Sequence, residues 1–305
     1  MAAHKKSGHT PVLLKEVLHY LDPKPGEFIV DGTVDGGGHA RAILERVMPG
    51  GRFLGIDWDK RMIEARENER SHGKNEIYKS GNYADLPEIL SETKLGKADG
   101  LLLDLGFSSE QLSASGRGFS FSEAKADEPL IMTYDDERTP VAELLRTIPE
   151  KQLADIIYEF GGERFSRRIA KAIIVERERK KRVRTAGELA DIIREATGGA
   201  RGKYEHGRID AATRTFQALR IYANDELGNL ARALEQLPEV LASGGRAVVI
   251  TFHSLEDRIA KQSFQKLAKE DKVEILTKKP VEGSLEEIRA NPRARSAKVR
   301  AVRVR

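Results

Sequence analysis

Residues 28–48 constrain the fold of this chain more than any other stretch. Phe28-Ile29-Val30 is a short apolar run, three consecutive glycines stand at Gly36, Gly37 and Gly38, and a helix-forming segment, Ala40 to Met48, follows. Strand, glycine loop and helix in that order begin a parallel sheet covered by helices. The rhythm repeats: Phe28–Asp31, Arg52–Asp57, Glu76–Gly81 and Ala98–Leu105 read as four strands separated by helical patterns. From about Ser113 to Thr215 it stops, leaving helices and loops with no strand pattern. There Thr139-Pro140 opens one helix, Gly161-Gly162 stops the next, and Thr185 with Glu188 forms a capping-box pattern ahead of a third. The alternation then resumes. A helix from Asp225 to Leu241 ends at Ser-Gly-Gly, Arg246–Ser254 is a fifth strand, and a helix runs to about Lys269. Segments 272–276 and 297–305 are predicted to close the chain as an antiparallel pair at a sheet edge. The predicted architecture is α/β, with a sheet domain from residues 1–112 and 216–305 and an inserted all-helical domain over 113–215.

Composition narrows the function. The 305 residues include no cysteine, which excludes disulfides and thiolate metal sites. The seven histidines are scattered without ligand spacing, so no metal site is predicted. No apolar run approaches the roughly 18 residues that span a bilayer, and the first residues have no apolar signal core, so a cytoplasmic location is expected. The net charge of +4 is concentrated in Glu163–Thr185 and Asn291–Arg305. Two readings fit these stretches: solvated faces, or a surface for nucleic acid.

The glycine loop is not a phosphate-binding P-loop. Gly32 and Gly37 have the right spacing, but Gly38-His39 stands where Lys and Ser or Thr are required. Gly36 and Gly38 meet two places of the dinucleotide fingerprint, while Arg41 in the third is expected to crowd helix against strand, which disfavours a nicotinamide cofactor. Asp57 ends the second strand, 21 residues after Gly36, where a carboxylate can accept from both hydroxyls of a ribose. S-adenosylmethionine has such a ribose and no phosphate. Its ammonium suits Asp31, its carboxylate the backbone of Gly37 and Gly38, and its adenine Tyr83. Simpler roles compete: Asp57 as cap of the next helix, Tyr83 as core, His39 as a solvent-facing residue. Asp104 ends the fourth and most apolar strand, where a carboxylate is costly without partners. Phe107 either stacks on a base or fills core.

Eight blocks occur in order: HTPVLLKEVL, DGTVDGGGHARAIL, LLLDLGFSSEQL, RGFSF, GGERFSRRIAKAI, ATRTFQALRI, TFHSLEDR and NPRARSAKVR. Over about His9 to Arg300 the chain resembles the ribosomal RNA small-subunit methyltransferase H family, which methylates N4 of a cytidine in bacterial 16S rRNA. The resemblance implies a class I (Rossmann-like) methyltransferase sheet with an inserted helical domain for RNA recognition. It implies S-adenosylmethionine contacts at Gly37, His39, Asp57, Tyr83, Asp104, Gly38 and Gln111. The acceptor would be a decoding-region cytidine in small-subunit rRNA, in an assembled or late-assembly 30S subunit, with monomer and dimer both open. The family usually has Phe at Tyr83, Gly-Pro-Leu-Asp-Met-Arg where this chain has Glu128 to Thr133, and His-Pro at Asp210-Ala211.

In this reading Asp104, or a nearby backbone carbonyl, accepts an N4–H bond and aligns the amine for in-line attack, on a base unstacked from its neighbours. Phosphate contacts are expected from Arg164, Arg167, Arg168, Arg214, Arg220, Arg293 and Arg295, and acceptor contacts from Arg117, Phe119 and His253. Ser254 and Asp257 also fit a helix-start box that His253 merely precedes. Three alternatives remain: a methyltransferase for another substrate, a catalytically silent RNA-binding assembly factor, and a nicotinamide oxidoreductase.

Overall fold

The computed structural model describes residues 11–68, 73, 75–106, 116–179, 182–198 and 210–305. The chain divides into two compact units, Met1–Ser108 with Leu227–Arg305, and Ser109–Glu226. The predicted boundary at 215/216 falls inside a helix, Ala211–Asn224, that lies wholly in the second unit.

The first unit is built on one sheet. Its strands are β1 (Phe28–Asp31), β2 (Arg52–Asp57), β3 (Glu76–Ser80), β4 (Ala98–Asp104), β5 (Leu241–Thr251), β6 (Val273–Ile275), β7 (Val281–Glu282) and β8 (Lys298–Val304). The order is β3-β2-β1-β4-β5-β8-β6, with β7 pairing β8 off this path. β1 to β5 pair in parallel, and β8 is antiparallel to both β5 and β6. The closing pair therefore lies at the sheet edge, as its spacing predicts. The helices of this unit are α1 (Leu14–Leu21), α2 (Gly38–Val47), α3 (Lys60–Glu67) and α4 (Leu86–Thr93), then α10 (Glu226–Glu235), α11 (Leu237–Val240), α12 (Ser254–Lys269) and α13 (Leu285–Ala290).

Period-two burial explains why the central strands read as unbroken apolar runs. Phe28, Val30, Leu54, Leu101, Leu103, Ala247 and Val249 pack into one core, and Ile29, Phe53, Leu102, Val248 and Ile250 into the other. Each strand is buried on both faces, so neither face selects polar residues. The predicted start of the fifth strand at Arg246 is also misplaced. The helix meant to reach Leu241 stops at Val240, and Ser243-Gly244-Gly245 lies within β5 rather than ending the helix. There the ladder steps from Ala98↔Leu241 to Gly100↔Arg246, so residues 242–245 of β5 lie opposite Asp99 alone, a bulge of three extra residues.

Arg246, 8% exposed, locks the amino ends of the sheet. It donates to the carbonyls of Leu21 (2.7 Å), Asp22 (2.7 Å) and Asp99 (3.0 Å) and to both carboxylate oxygens of Glu27 (2.9 and 2.8 Å).

The second unit is helical: α5 (Val141–Thr147), α6 (Glu150–Gly161), α7 (Ser166–Glu178), α8 (Ala186–Thr197) and α9 (Ala211–Asn224). Among its described residues β structure is limited to one isolated bridge, Pro129↔Thr185. The capping box at Thr185 and Glu188 forms as predicted, each side chain accepting a backbone N–H at the other residue. No described helix in either unit is long and apolar enough to cross a membrane.

Candidate active site

The strand order turns outward from β1 on both sides, so the crevice between the carboxyl ends of β1 and β4 is the switch point where ligands of open α/β sheets bind. Three carboxylates end three adjacent strands there: Asp57 on β2, Asp31 on β1 and Asp104 on β4.

Asp31 is 1% exposed. Its Oδ1 accepts from the Thr33 backbone N–H at 3.1 Å, and its Oδ2 has no hydrogen-bond partner among the described residues. Burial pushes its carboxyl up to about 7, against a smaller opposing pull from His39. A buried carboxylate oxygen without a donor calls for a cationic or N–H group.

Asp57 is also buried, and burial pushes it up to about 7. Its Oδ2 accepts from the Asp35 N–H and its Oδ1 from the Asp59 N–H, both at 2.9 Å. It does not cap α3; Asp59 does, accepting from Arg61 N–H at 3.0 Å. Asp57 thus ties the glycine loop to the end of β2, and each of its oxygens keeps a second lone pair for a ribose hydroxyl.

Two close approaches shape the loop. Gly37 sits at φ +72° as N-cap of α2, and a Cβ there would stand 2.5 Å from the buried Arg66 guanidinium, which donates to Gly36 O at 3.2 Å. At Gly38 a Cβ would meet Pro11 at 3.0 Å. The close neighbours of both glycines are therefore this chain's own side chains, where the sequence reading had only a ligand. Gly32, which sequence reasoning passed over, is tighter than Gly38: a Cβ would stand 2.6 Å from Leu103 and 3.0 Å from Tyr83. Tyr83 follows β3, half-buried against the core. Arg41 is exposed on α2 and does not crowd the sheet, so the predicted clash at the third fingerprint position is absent. Thr33 was also missed; its hydroxyl accepts from Asp104 N–H at 2.6 Å. Its position two residues past the strand-ending Asp31 was the available signal.

His39, a possible solvent-facing residue by sequence, is 6% exposed. Its Nε2 lies 3.3 Å from Asp104 Oδ2, and Asp104 Oδ1 accepts from Gly106 N–H at 3.1 Å. Burial works to raise Asp104, but the His39 imidazole, the Gly106 N–H and the charge of Arg293 outweigh it and hold the carboxyl below its usual range. Arg293 is half-buried, with its guanidinium 6.0 Å from the Phe252 ring centre, while Arg295 is exposed. Phe107 and Gln111 lie outside the described residues.

His253 is the N-cap of α12. Its Nδ1 accepts from Glu256 N–H, and Glu256 Oε2 accepts from the N–H of Phe252 (2.7 Å) and His253 (3.3 Å). The helix-start box therefore uses His253 and Glu256, not Ser254 and Asp257. Asp257 instead pairs both oxygens with Arg300, at 2.7 and 3.0 Å.

Within the helical unit several expected RNA contacts are structural. Arg117 donates to the Thr133 and Asp135 carbonyls, and Phe119 is buried and stacked on Tyr134 at 5.7 Å. Arg214 Nε donates to the fully buried Glu163 at 2.6 Å, and Arg220 pairs both oxygens of Glu226 at 2.8 and 3.0 Å. Arg164, Arg167 and Arg168 are exposed, and the guanidiniums of Arg164 and Arg168 lie 4.6 and 5.5 Å from the Phe165 ring centre.

A phosphate-free glycine loop, a ribose-competent acid on β2 and an acid on β1 with one oxygen unpartnered among the described residues define a class I S-adenosylmethionine-dependent methyltransferase. Residues 6–305 match the model of the MraW methylase family, and the chain belongs to that family. It is 44% identical over 297 residues to the ribosomal RNA small subunit methyltransferase H of Dictyoglomus thermophilum, covering 97% of this chain and 96% of that protein. The proteins of the same name from Fervidobacterium nodosum and Geobacter sulfurreducens are 46% and 45% identical, each over 96% of this chain and 96% and 97% of their own. Among solved structures it is similar to a SAM-dependent O-methyltransferase from Thermotoga maritima, with a TM-score of 0.41 at 10% identity, covering 97% of this chain and 66% of that one.

Proposed function

We propose that the protein methylates the N4 amine of one cytidine in the decoding region of small-subunit rRNA, in the cytoplasm, on an assembled or late-assembly 30S subunit. The observation that carries this reading is the row of acids on adjacent strand ends, with Asp104 held ionised beside His39 at the switch point. The printed names of the relatives supply the RNA class. The cytidine and its amine follow from the sequence resemblance.

Asp31 would hold the cofactor's ammonium, since its Oδ2 is buried without a partner among the described residues. Asp57 would hold the ribose hydroxyls, and Tyr83 would lie against the adenine. When bound, S-adenosylmethionine supplies a methyl on a sulfonium, a good leaving group. The remaining task is alignment, because the cytosine amine is a weak nucleophile whose lone pair is delocalised into the ring. Asp104 accepts an N4–H bond and favours a tetrahedral nitrogen with its lone pair directed at the methyl. The target base is drawn out of its stack to reach that carboxylate. The exposed Arg164-Phe165-Arg168 cluster, with Arg167, offers cations for phosphates and a ring edge beside them. Arg293, Arg295 and His253 are the corresponding candidates on the sheet unit.

The test is mass spectrometry of small-subunit rRNA from cells with and without the protein. Loss of one N4-methylcytidine in the deletion, restored by wild type and not by Asp104→Ala, is expected. Unchanged methylation would favour a silent assembly factor and overturn the proposal.

A further inference from the structure

We propose that the helical unit holds a pocket for one nucleotide of the substrate RNA, its phosphate on Arg177 and Arg182 and its base on an apolar floor. The inference rests on the rRNA reading above. A cavity of about 320 Å³ opens between α5, α7 and the segment that leads into α8, a size that suits a small ligand. Its floor is Ala142, Leu145 and Ile173, and its rim is Arg146, Arg177 and Arg182. Every lining residue belongs to the second unit, and none is acidic.

How the arginines are paired points to a ligand. The other half-buried arginines described in this unit, Arg117, Arg138, Arg194, Arg214 and Arg220, each pair with a carboxylate. Arg177 is also half-buried, yet it forms no ion pair among the described residues. Its Nη1 donates to the carbonyls of Leu145 (3.4 Å) and Ile148 (2.8 Å) at the end of α5. Those bonds fix the plane of the guanidinium and leave Nε and Nη2 without a partner among the described residues. Arg182 is exposed and likewise forms no ion pair there, whereas Arg146 is neutralised by Glu143. The rim therefore carries two uncompensated cations. A half-buried cation without a counter-charge is costly unless a ligand supplies one.

The chemistry of the lining selects a nucleotide. A phosphate accepts from planar guanidinium forks, two N–H bonds at a time. The floor side chains carry no polar atom, which suits the face of a base and offers nothing to a second charge. Ile173 and Arg177 stand one turn apart on α7, and Ala142, Leu145 and Arg146 line one face of α5. Each helix thus presents apolar and cationic groups side by side. The basic stretch Glu163–Thr185 has Arg164, Arg167 and Arg168 at one end and supplies Arg177 and Arg182 at the other. A nucleotide drawn from its stack is held here by phosphate contact and base burial together.

NMR titration of the full-length protein with uridine 5′-monophosphate (UMP) tests it. The Ile173 methyl and Arg177 Nε–H signals should both shift saturably, with a midpoint below about 5 mM. Uridine should bind at least about tenfold more weakly, and inorganic phosphate should move the Arg177 signal and leave the Ile173 methyl in place. Arg177 also anchors the end of α5, so the variant used is Arg182→Ala, an exposed position whose loss leaves the fold intact. It should weaken UMP binding about tenfold and raise KM for small-subunit particles by a similar factor. No shift at either signal, or a UMP affinity unmoved in Arg182→Ala, overturns the pocket. Inorganic phosphate bound as tightly as UMP also overturns it and leaves a plain anion site. Weakened UMP binding with KM unmoved overturns the RNA assignment and leaves a site for a free nucleotide. If the wild-type protein methylates no rRNA, the functional reading fails instead, and the NMR titration still judges the pocket.

Discussion

Replacing Asp31 by Asn should make the unliganded protein more stable and its cofactor binding worse. The carboxyl rises from 3.8 to about 7 chiefly through burial, which corresponds to about 4 kcal/mol between its protonation states. The sign follows from linkage: the folded chain holds the Asp31 proton more tightly than the unfolded chain. The penalty is therefore absent below the unfolded value, grows as pH rises through 3.8 to about 7, and is complete above that. Asn carries no charge and removes it, while its amide oxygen can still accept from Thr33 N–H. Its new NH2 is a buried donor, and leaving that unsatisfied costs about 1–2 kcal/mol. The net gain expected at about pH 8 is about 2–3 kcal/mol, shrinking towards zero or below by about pH 5. Urea unfolding of both proteins at the two pH values measures the difference, and calorimetry should show S-adenosylmethionine affinity reduced more than about tenfold, the loss of a buried charge pair. A variant no more stable than wild type at the higher pH, or a difference independent of pH, would refute the reasoning.

Other substitutions separate scaffold from site. Asp57→Ala leaves the Asp35 and Asp59 N–H groups without their acceptor, a cost of about 2–5 kcal/mol, and removes a carboxyl that burial raises to about 7, so urea unfolding should show the loss at about pH 5 and a smaller one at about pH 8, and cofactor binding should disappear from calorimetry. Arg214→Ala strands the fully buried Glu163 carboxylate and should cost about 3–5 kcal/mol in the same unfolding assay. Arg164→Ala and Arg168→Ala should change stability by no more than about 0.5 kcal/mol. Each should weaken RNA binding and lower the slope of log affinity against log salt by about 1, read from titrations at several salt concentrations. Arg246→Met removes the donors that hold Glu27 and three carbonyls at the amino ends of the sheet. It should destabilise by about 3–5 kcal/mol while folded protein keeps its cofactor affinity.

The strands and the helical insertion were legible because their signals are local. β1, β2 and β4 are apolar runs because each is buried on both faces, and the capping box at Thr185 and Glu188 is written within four residues. Asp31, Asp57 and Asp104 could be singled out because each ends a strand, and strand ends are readable from where the apolar run stops. The start of β5 was misplaced because a bulge absorbed the Ser-Gly-Gly segment that reads as a helix stop. The box at His253 was misassigned because Ser254 with Asp257 has the same spacing as His253 with Glu256, and only the distant Arg300 draws Asp257 away.

The sequence by itself determined an alternating parallel sheet, a phosphate-free glycine loop and acids at successive strand ends, since each depends on residues a few positions apart. Tertiary structure alone decided which arginines face solvent and which neutralise a buried acid. Arg168 and Arg214 are equally basic in the sequence, but Arg214 meets the fully buried Glu163, 51 residues away. It likewise brought His39 to Asp104 across 65 positions of chain. Burial and charge pairing depend on where the folded chain places distant groups, and no local pattern records that distance.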